Sequence, residues 1–329
     1  MTEQRAQESS LERMIAIFDV TPAGTGPSGL ATFTAESDGG GGRDVVDGSQ
    51  ILAQSIVAAG KAFPGRTVRS AHSLFVGASS PDKTLQFEVA PVRAGRSFAS
   101  AVVTASQGDR TTVTTTVLLD YPQPDVIRHD HPEGSAEAGP EESSLISMPL
   151  TGRELRIAGV SSHDSADEVG PPVLDAWLRY ATVPERDGLR RALLAHFTGH
   201  LSISTTFRAH AGIGTAQAHY TVSTAPMGIG ISFHEPVGWD GWIRYHHEST
   251  YVGAGMSYVR GQVLTADGRL MASFTQDAMI RGFDDNSGQT AIPVKARLLP
   301  GRIAGRGSAG RDAGRNENMG HGLAYPVPR

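Results

Sequence analysis

The feature that most constrains this chain is that it repeats itself. Residues 95–108 read GRSFASAVVTASQG and residues 255–268 read GMSYVRGQVLTADG. At a constant offset of 160, Gly95/Gly255, Ser97/Ser257, Val103/Val263 and Gly108/Gly268 are identical, and Phe98/Tyr258 are similar. Each run reaches a polar turn, QGDR at 107–110 and ADGR at 266–269. Each then continues into a second run, RTTVTTTVLLDY in one case and RLMASFTQDAMIRG in the other. Two such runs joined by a Gly/Asp turn make an antiparallel hairpin. An offset kept across the whole strand and turn points to duplication, so the chain must build two similar units.

Each unit has one helix ahead of its hairpin. DGSQILAQSIVAAGKAF, residues 47–63, places Ile51, Leu52, Ser55, Ile56, Ala59 and Phe63 at helical spacing, with Asp47 as N-cap. DGLRRALLAHFTGHLSIS, residues 187–204, puts Leu189, Ala192, Leu193, His196, Phe197 and His200 on adjoining faces. The small residues Ala53, Ala58, Ala59 and Gly60 let another element approach the first helix closely. A strongly twisted antiparallel sheet wrapped round one helix satisfies this, giving an α+β fold of two tandem hotdog repeats, a double hotdog.

Boundaries follow from composition. Residues 1–121 are read as the first hotdog and 147–284 as the second, which carries the site. Residues 122–146, PQPDVIRHDHPEGSAEAGPEESSLI, are rich in Pro and acid and read as a linker, with His129-Asp130-His131 solvated. Residues 285–329 are a Gly/Arg-rich tail expected to be largely disordered, and residues 1–9 are expected to be mobile.

Several function classes lose their support. The net charge is −5, which gives no footprint for nucleic acid, and no run of 18 apolar residues spans a bilayer. There are no cysteines, so disulfides and thiolate chemistry are excluded. The N-terminus lacks a secretory apolar region, and a cytoplasmic location is expected. GTGPSG at 24–29 and GRGSAG at 305–310 fit G-x-G-x-x-G, but neither sits between a strand and a helix, so no nucleotide cofactor is expected. His196 and His200 have the spacing of a zinc helix. Phe197 stands where the glutamate of such a helix would be, and no acid lies between Asp187 and Glu235, so no metal is expected.

The chain resembles the acyl-CoA thioesterase II family of double-hotdog enzymes. The resemblance runs from about Leu11 to Arg281. It rests on DGSQILAQSIVAAG against a helix that usually opens GGQ, and on TVRSAHSLFVGASSPDKTLQFEVAPVRAGRSFASAVVTASQG. In the second half it rests on WLRYA, ISFHEP, GWIRYHHEST and VRGQVLTADGRLMASFTQDAMIR. It implies hydrolysis of acyl thioesters carried on CoA or on an acyl-carrier protein, without cofactor or metal, by a homo-oligomer of lipid metabolism.

In that family an Asp on the second helix, a Ser/Thr on a nearby strand and a Gln on the last strand hold the nucleophilic water. The resemblance carries the Gln onto Gln276. It puts His200 where the family keeps its acid. It puts the hydroxyl near Pro226, with Thr224 or Ser223 as replacements and Thr224 preferred. The catalytic set expected is therefore His200, Gln276 and Thr224. A neutral imidazole is a competent base near pH 7. Three readings stay open: a hydrolase with an altered water site, a non-hydrolytic dehydratase or isomerase using His200 as base, and a non-catalytic acyl-binding protein. His196 is read as a packing residue.

Overall fold

The computed structural model describes residues 9–39, 44–134, 136–147, 150–160, 165–218, 220–234 and 237–282. The expectations for residues 1–8, for GRGSAG and for the 285–329 tail lie outside the described residues. In chain order the elements are β1 (Ser9–Ser10), α1 (Leu11–Phe18), β2 (Thr21–Thr25), β3 (Ala31–Ala35), α2 (Gly48–Ala62), β4 (Thr67–Phe75), β5 (Leu85–Ala94), β6 (Phe98–Gln107) and β7 (Arg110–Asp120). There follow β8 (Ser144–Ile146), β9 (Leu150–Thr151), β10 (Arg153–Ile157), β11 (Val173–Tyr180), α3 (Asp187–Phe197) and α4 (Ser202–Phe207). A 3-10 turn at Thr215–Gln217, β12 (Val222–Phe233), β13 (Trp242–Gly253), β14 (Met256–Thr265) and β15 (Leu270–Gly282) complete the set.

The duplication is visible in the sheet. Thirteen strands run in the order β2-β3-β5-β6-β7-β4-β12-β15-β14-β13-β11-β10-β8. Reading outward from the middle, β4-β7-β6-β5-β3 mirrors β12-β15-β14-β13-β11. The repeated hairpins are β6–β7 and β14–β15, and Gly108 and Gly268 take the left-handed φ of their turns, +60° and +89°. The halves are joined by antiparallel pairing of β4 with β12, from Leu74–Gly228 to Ser70–Ser232.

Each half curls round its helix. Along α2 every residue from Ser49 to Ala59 is buried, because the small side chains admit strands and helices on all sides. Gln54 Nε2 donates to the carbonyls of Ile17 and Glu36 at 3.1 and 2.8 Å, whereas Gln54 Oε1 and Gln50 Nε2 have no partner among the described residues. Asp47 N-caps the helix as expected, accepting from Ser49 N at 3.1 Å. α2 and α3 pack against each other, so the N-terminal end of one meets the C-terminal end of the other. Residues 138–146 lie along the second half: Trp177 Nε1 donates to the Ala138 carbonyl, and β8 pairs with β10. Among the described residues no helix is long and apolar enough to cross a membrane.

The second helix departs from its expected length. Helical spacing continues to Ile203, but α3 ends at Phe197, and Leu201 turns the chain with φ +65° before α4 begins. Two side chains take carbonyls at this end. Thr198 Oγ1 donates to Ala195 O at 2.7 Å, and His200 Nδ1 lies 3.1 Å from His196 O. His200 is therefore in the turn after α3, not on the helix, although its ring still sits 4.9 Å from that of His196.

Candidate active site

The site forms where the N-terminal end of α2 meets the end of α3 above the inward face of the sheet. Asp47 Oδ1 accepts from both the backbone N and Oγ of Ser49, at 3.1 and 2.9 Å, so the carboxylate is fixed. Its other oxygen, Oδ2, lies 3.8 Å from His200 Nε2. A backbone carbonyl can only accept, so the contact of His200 Nδ1 with His196 O puts the neutral ring's proton on Nδ1. Nε2 is then the basic nitrogen, and it faces Asp47. The His200 ring stacks flat on Phe197, 5.2 Å between centroids and 5° between planes.

His196 packs as expected, buried with its ring 5.3 Å from that of Phe18, and its Nδ1 has no hydrogen-bond partner. Burial, reinforced by His200 and Arg153, holds its pKa well below the ordinary histidine value against the pull of Asp47. One donor atom each from Asp47, His196 and His200 falls within 4.8 Å of the others, a two-histidine, one-carboxylate set of the kind that holds zinc. The buried Arg153 guanidinium, which perturbs His196 and is itself perturbed by Asp47, sets a positive charge against a dication there.

Below this cluster lies a row of inward side chains. Thr115, Ser73, Ile229, Gln276 and Val259 are successive partners across β7, β4, β12, β15 and β14. Gly199 reaches down to this row: a Cβ on it would stand 3.4 Å from Ile229 Cδ1 and 2.5 Å from Ser49 Cβ. Gln276 is 1% exposed, and neither atom of its amide has a hydrogen-bond partner. Buried amides are nearly always satisfied, so an amide unpartnered at both atoms is a candidate for holding a polar guest. Ser73 Oγ and Thr115 Oγ1, by contrast, bond each other at 2.7 Å.

Thr224 is not in this row. It stands opposite Ile280 while Gln276 stands opposite Ile229, with a bulge between Pro226 and Gly228. Four residues along β15 amount to about 13 Å. Thr224 Oγ1 is buried and unpartnered, as is Ser257 Oγ, which stands opposite Ala278. Pro226, also opposite Ala278, is closer to the Gln276 row than Thr224 is. The structure thus brings His200 to Asp47 and sets Gln276 beneath Gly199, while Thr224 lies further along β12. Asp47 was legible in the sequence only as a cap, because its other oxygen meets a residue of the opposite repeat. A cleft of about 840 Å³ lies at the other end of α3 beside Asp187 and Arg191 and contains none of these residues.

Comparison with known proteins agrees with this architecture. Residues 38–119 match the acyl-CoA thioesterase N-terminal domain, and residues 129–280 match the acyl-CoA thioesterase C-terminal domain. The chain is 27% identical to acyl-coenzyme A thioesterase 8 of Mus musculus over 257 residues, covering 71% of this chain and 79% of that protein. It is 25% identical to acyl-CoA thioesterase 2 of Haemophilus influenzae over 268 residues, covering 76% and 92%. Among solved structures, the tesB protein of Mycobacterium avium subs paratuberculosis superposes with a TM-score of 0.68 at 19% identity, covering 83% of this chain and 99% of that one. The acyl-CoA thioesterase II of Mycobacterium marinum superposes with a TM-score of 0.67 at 19% identity, covering 82% and 99%. The last two show the shared double-hotdog fold.

Proposed function

Since this chain belongs to the acyl-CoA thioesterase family, we propose that it hydrolyses acyl-CoA thioesters with His200 as general base and Gln276 as the residue that holds the water. The observation that carries this reading is the buried Gln276 amide with no partner of its own, beneath the turn that presents His200. Water held by Gln276 loses a proton to His200 Nε2 as its oxygen bonds to the thioester carbon. The N-terminal end of α2, with its partial positive charge, favours the negative charge that develops on the carbonyl oxygen. The intermediate collapses with cleavage of the C–S bond. The departing thiolate takes the proton from the His200 imidazolium, giving free thiol and a carboxylic acid that ionises to solvent. Thr224 lies too far along β12 to share one water with Gln276. In this reading its hydroxyl has no part in the proton transfer.

The test is a thiol-release assay on acyl-CoA substrates of increasing chain length, with an acyl-carrier-protein thioester as a parallel arm. The expected result is release by the native protein, loss to background in His200→Gln, and a fall of about 100-fold in kcat for Gln276→Ala. Undiminished release by His200→Gln would remove His200 from the mechanism. Conversion of the acyl group with no thiol released would favour the dehydratase or isomerase reading instead.

A further inference from the structure

We infer that Asp47, delivered from the first repeat, is the carboxylate partner of His200 in the second, so that the working base is an Asp–His pair built across the duplication. This rests on His200 acting as the base. Oδ1 of Asp47 caps α2, meeting Ser49 N and Oγ, while Oδ2 faces His200 Nε2 at 3.8 Å. The imidazole is oriented from its other side, because Nδ1 is committed to the His196 carbonyl. Both partners are thus held by independent contacts, with the basic nitrogen aimed at the anion. The side chains are 13% and 21% exposed, so the pair is sheltered from water yet open enough to exchange protons.

The charges around the ring bear on what Asp47 adds. Groups at this end of α3 include His196, Asp47 at the cap of α2, and Arg153 on β10, whose guanidinium lies over the same Phe197 ring on which His200 stacks. The positive end of α2 adds to them. Arg153 and the end of α2 oppose an imidazolium, whereas Asp47 and the carbonyl end of α3, where His200 Nδ1 meets His196 O, favour it. The end of α3 does not supply a carboxylate from the position beside His200. Gly199 stands there against Ser49, where even a Cβ would come within 2.5 Å. The anion therefore comes from across the interface. Asp47 acts through His200, by stabilising the charge of the protonated ring.

The test is Asp47→Asn in the full-length protein, which keeps an N-capping oxygen and removes the charge. The expected result is a fall in kcat/KM of about 10- to 100-fold. The acid limb of the pH–rate profile should also move to lower pH by about one unit, because the anion no longer favours the protonated ring. Titration of the His200 imidazole by NMR, in the native protein and in Asp47→Asn and Asp47→Ser, reads the same shift directly without relying on activity. If His200→Gln is inactive but Asp47→Asn leaves both rate and acid limb unchanged, the pairing is wrong and His200 remains the base. If His200→Gln is fully active, the base assignment itself fails and takes the pairing with it. A loss of activity in Asp47→Asn without any movement of the imidazole titration reduces Asp47 to a helix cap and also overturns the pairing.

Discussion

At the scale of single residues, the site depends on a pair of small side chains that cannot both be larger. Gly199 and Ser49 face each other where α3 ends and α2 begins, and the space between them is already full. Adding one methyl at 199 forces the helix ends apart or bends the turn that carries His200, at a cost of about 1–3 kcal/mol. Gly199→Ala should therefore lower the urea midpoint of unfolding, and adding Ser49→Gly should recover most of the loss. A double variant no more stable than Gly199→Ala would show that the two positions are uncoupled. Asp47 shows the same dependence on a distant neighbour. Its sequence context, just before a helical run, specifies a cap, and nothing in that context announces that a histidine of the other repeat will stop beside its second oxygen.

At the scale of elements, α2 was readable because everything that defines it is local: the Asp47 cap, the apolar spacing and the run of small residues. The end of α3 was not. FTGHLSIS keeps a helical rhythm, and the break at Phe197 reflects the packing of Gly199 on the other helix, a tertiary contact that local spacing does not encode. Gln276 was legible as a site residue only through the family resemblance, since alternation along a strand gives two faces and leaves open which is buried. The bulge at Met227, which sets Thr224 apart from the Gln276 row, is marked in VSTAPMGIGISF by Pro226 and Gly228, which do not fit an unbroken central strand. Strand β14 shows how tightly the rows are set. Gly261 lies where a Cβ would meet the His246 carbonyl oxygen at 2.4 Å and the Phe274 ring at 2.2 Å. Backbone cannot step aside as a surface side chain can, so Gly261→Ala should destabilise the protein by about 3 kcal/mol or more. An unchanged denaturation midpoint would contradict that.

At the scale of the whole molecule, stability should depend on pH through histidines buried as neutral rings. Burial, with His246 adding to it, pulls the pKa of His247 from 6.5 down to about 4. In the unfolded chain the ring titrates near its ordinary value, so as pH falls the unfolded state gains its proton first. The contribution of His247 is therefore complete above about pH 6.5 and is lost progressively toward pH 4, by about 3 kcal/mol at most. His196, held low by the same cause, acts in the same direction. Denaturation at pH 7.5, 5.5 and 4.5 should show this decline, and His247→Asn should flatten it. Parallel slopes in parent and variant would count against the assignment.

The seam between β4 and β12 also has a consequence in time. The partner of β4 is more than a hundred residues further along the chain, so during synthesis the first half emerges complete except along one edge. At about 5–20 residues per second, that edge waits roughly 6–23 s before β12 has been made. An unpaired edge strand is a template for any other strand it meets. For that interval the nascent chain is exposed to pairing with a neighbour on the same message. A translation pause placed before residue 222 would lengthen the interval and should lower the yield of folded protein.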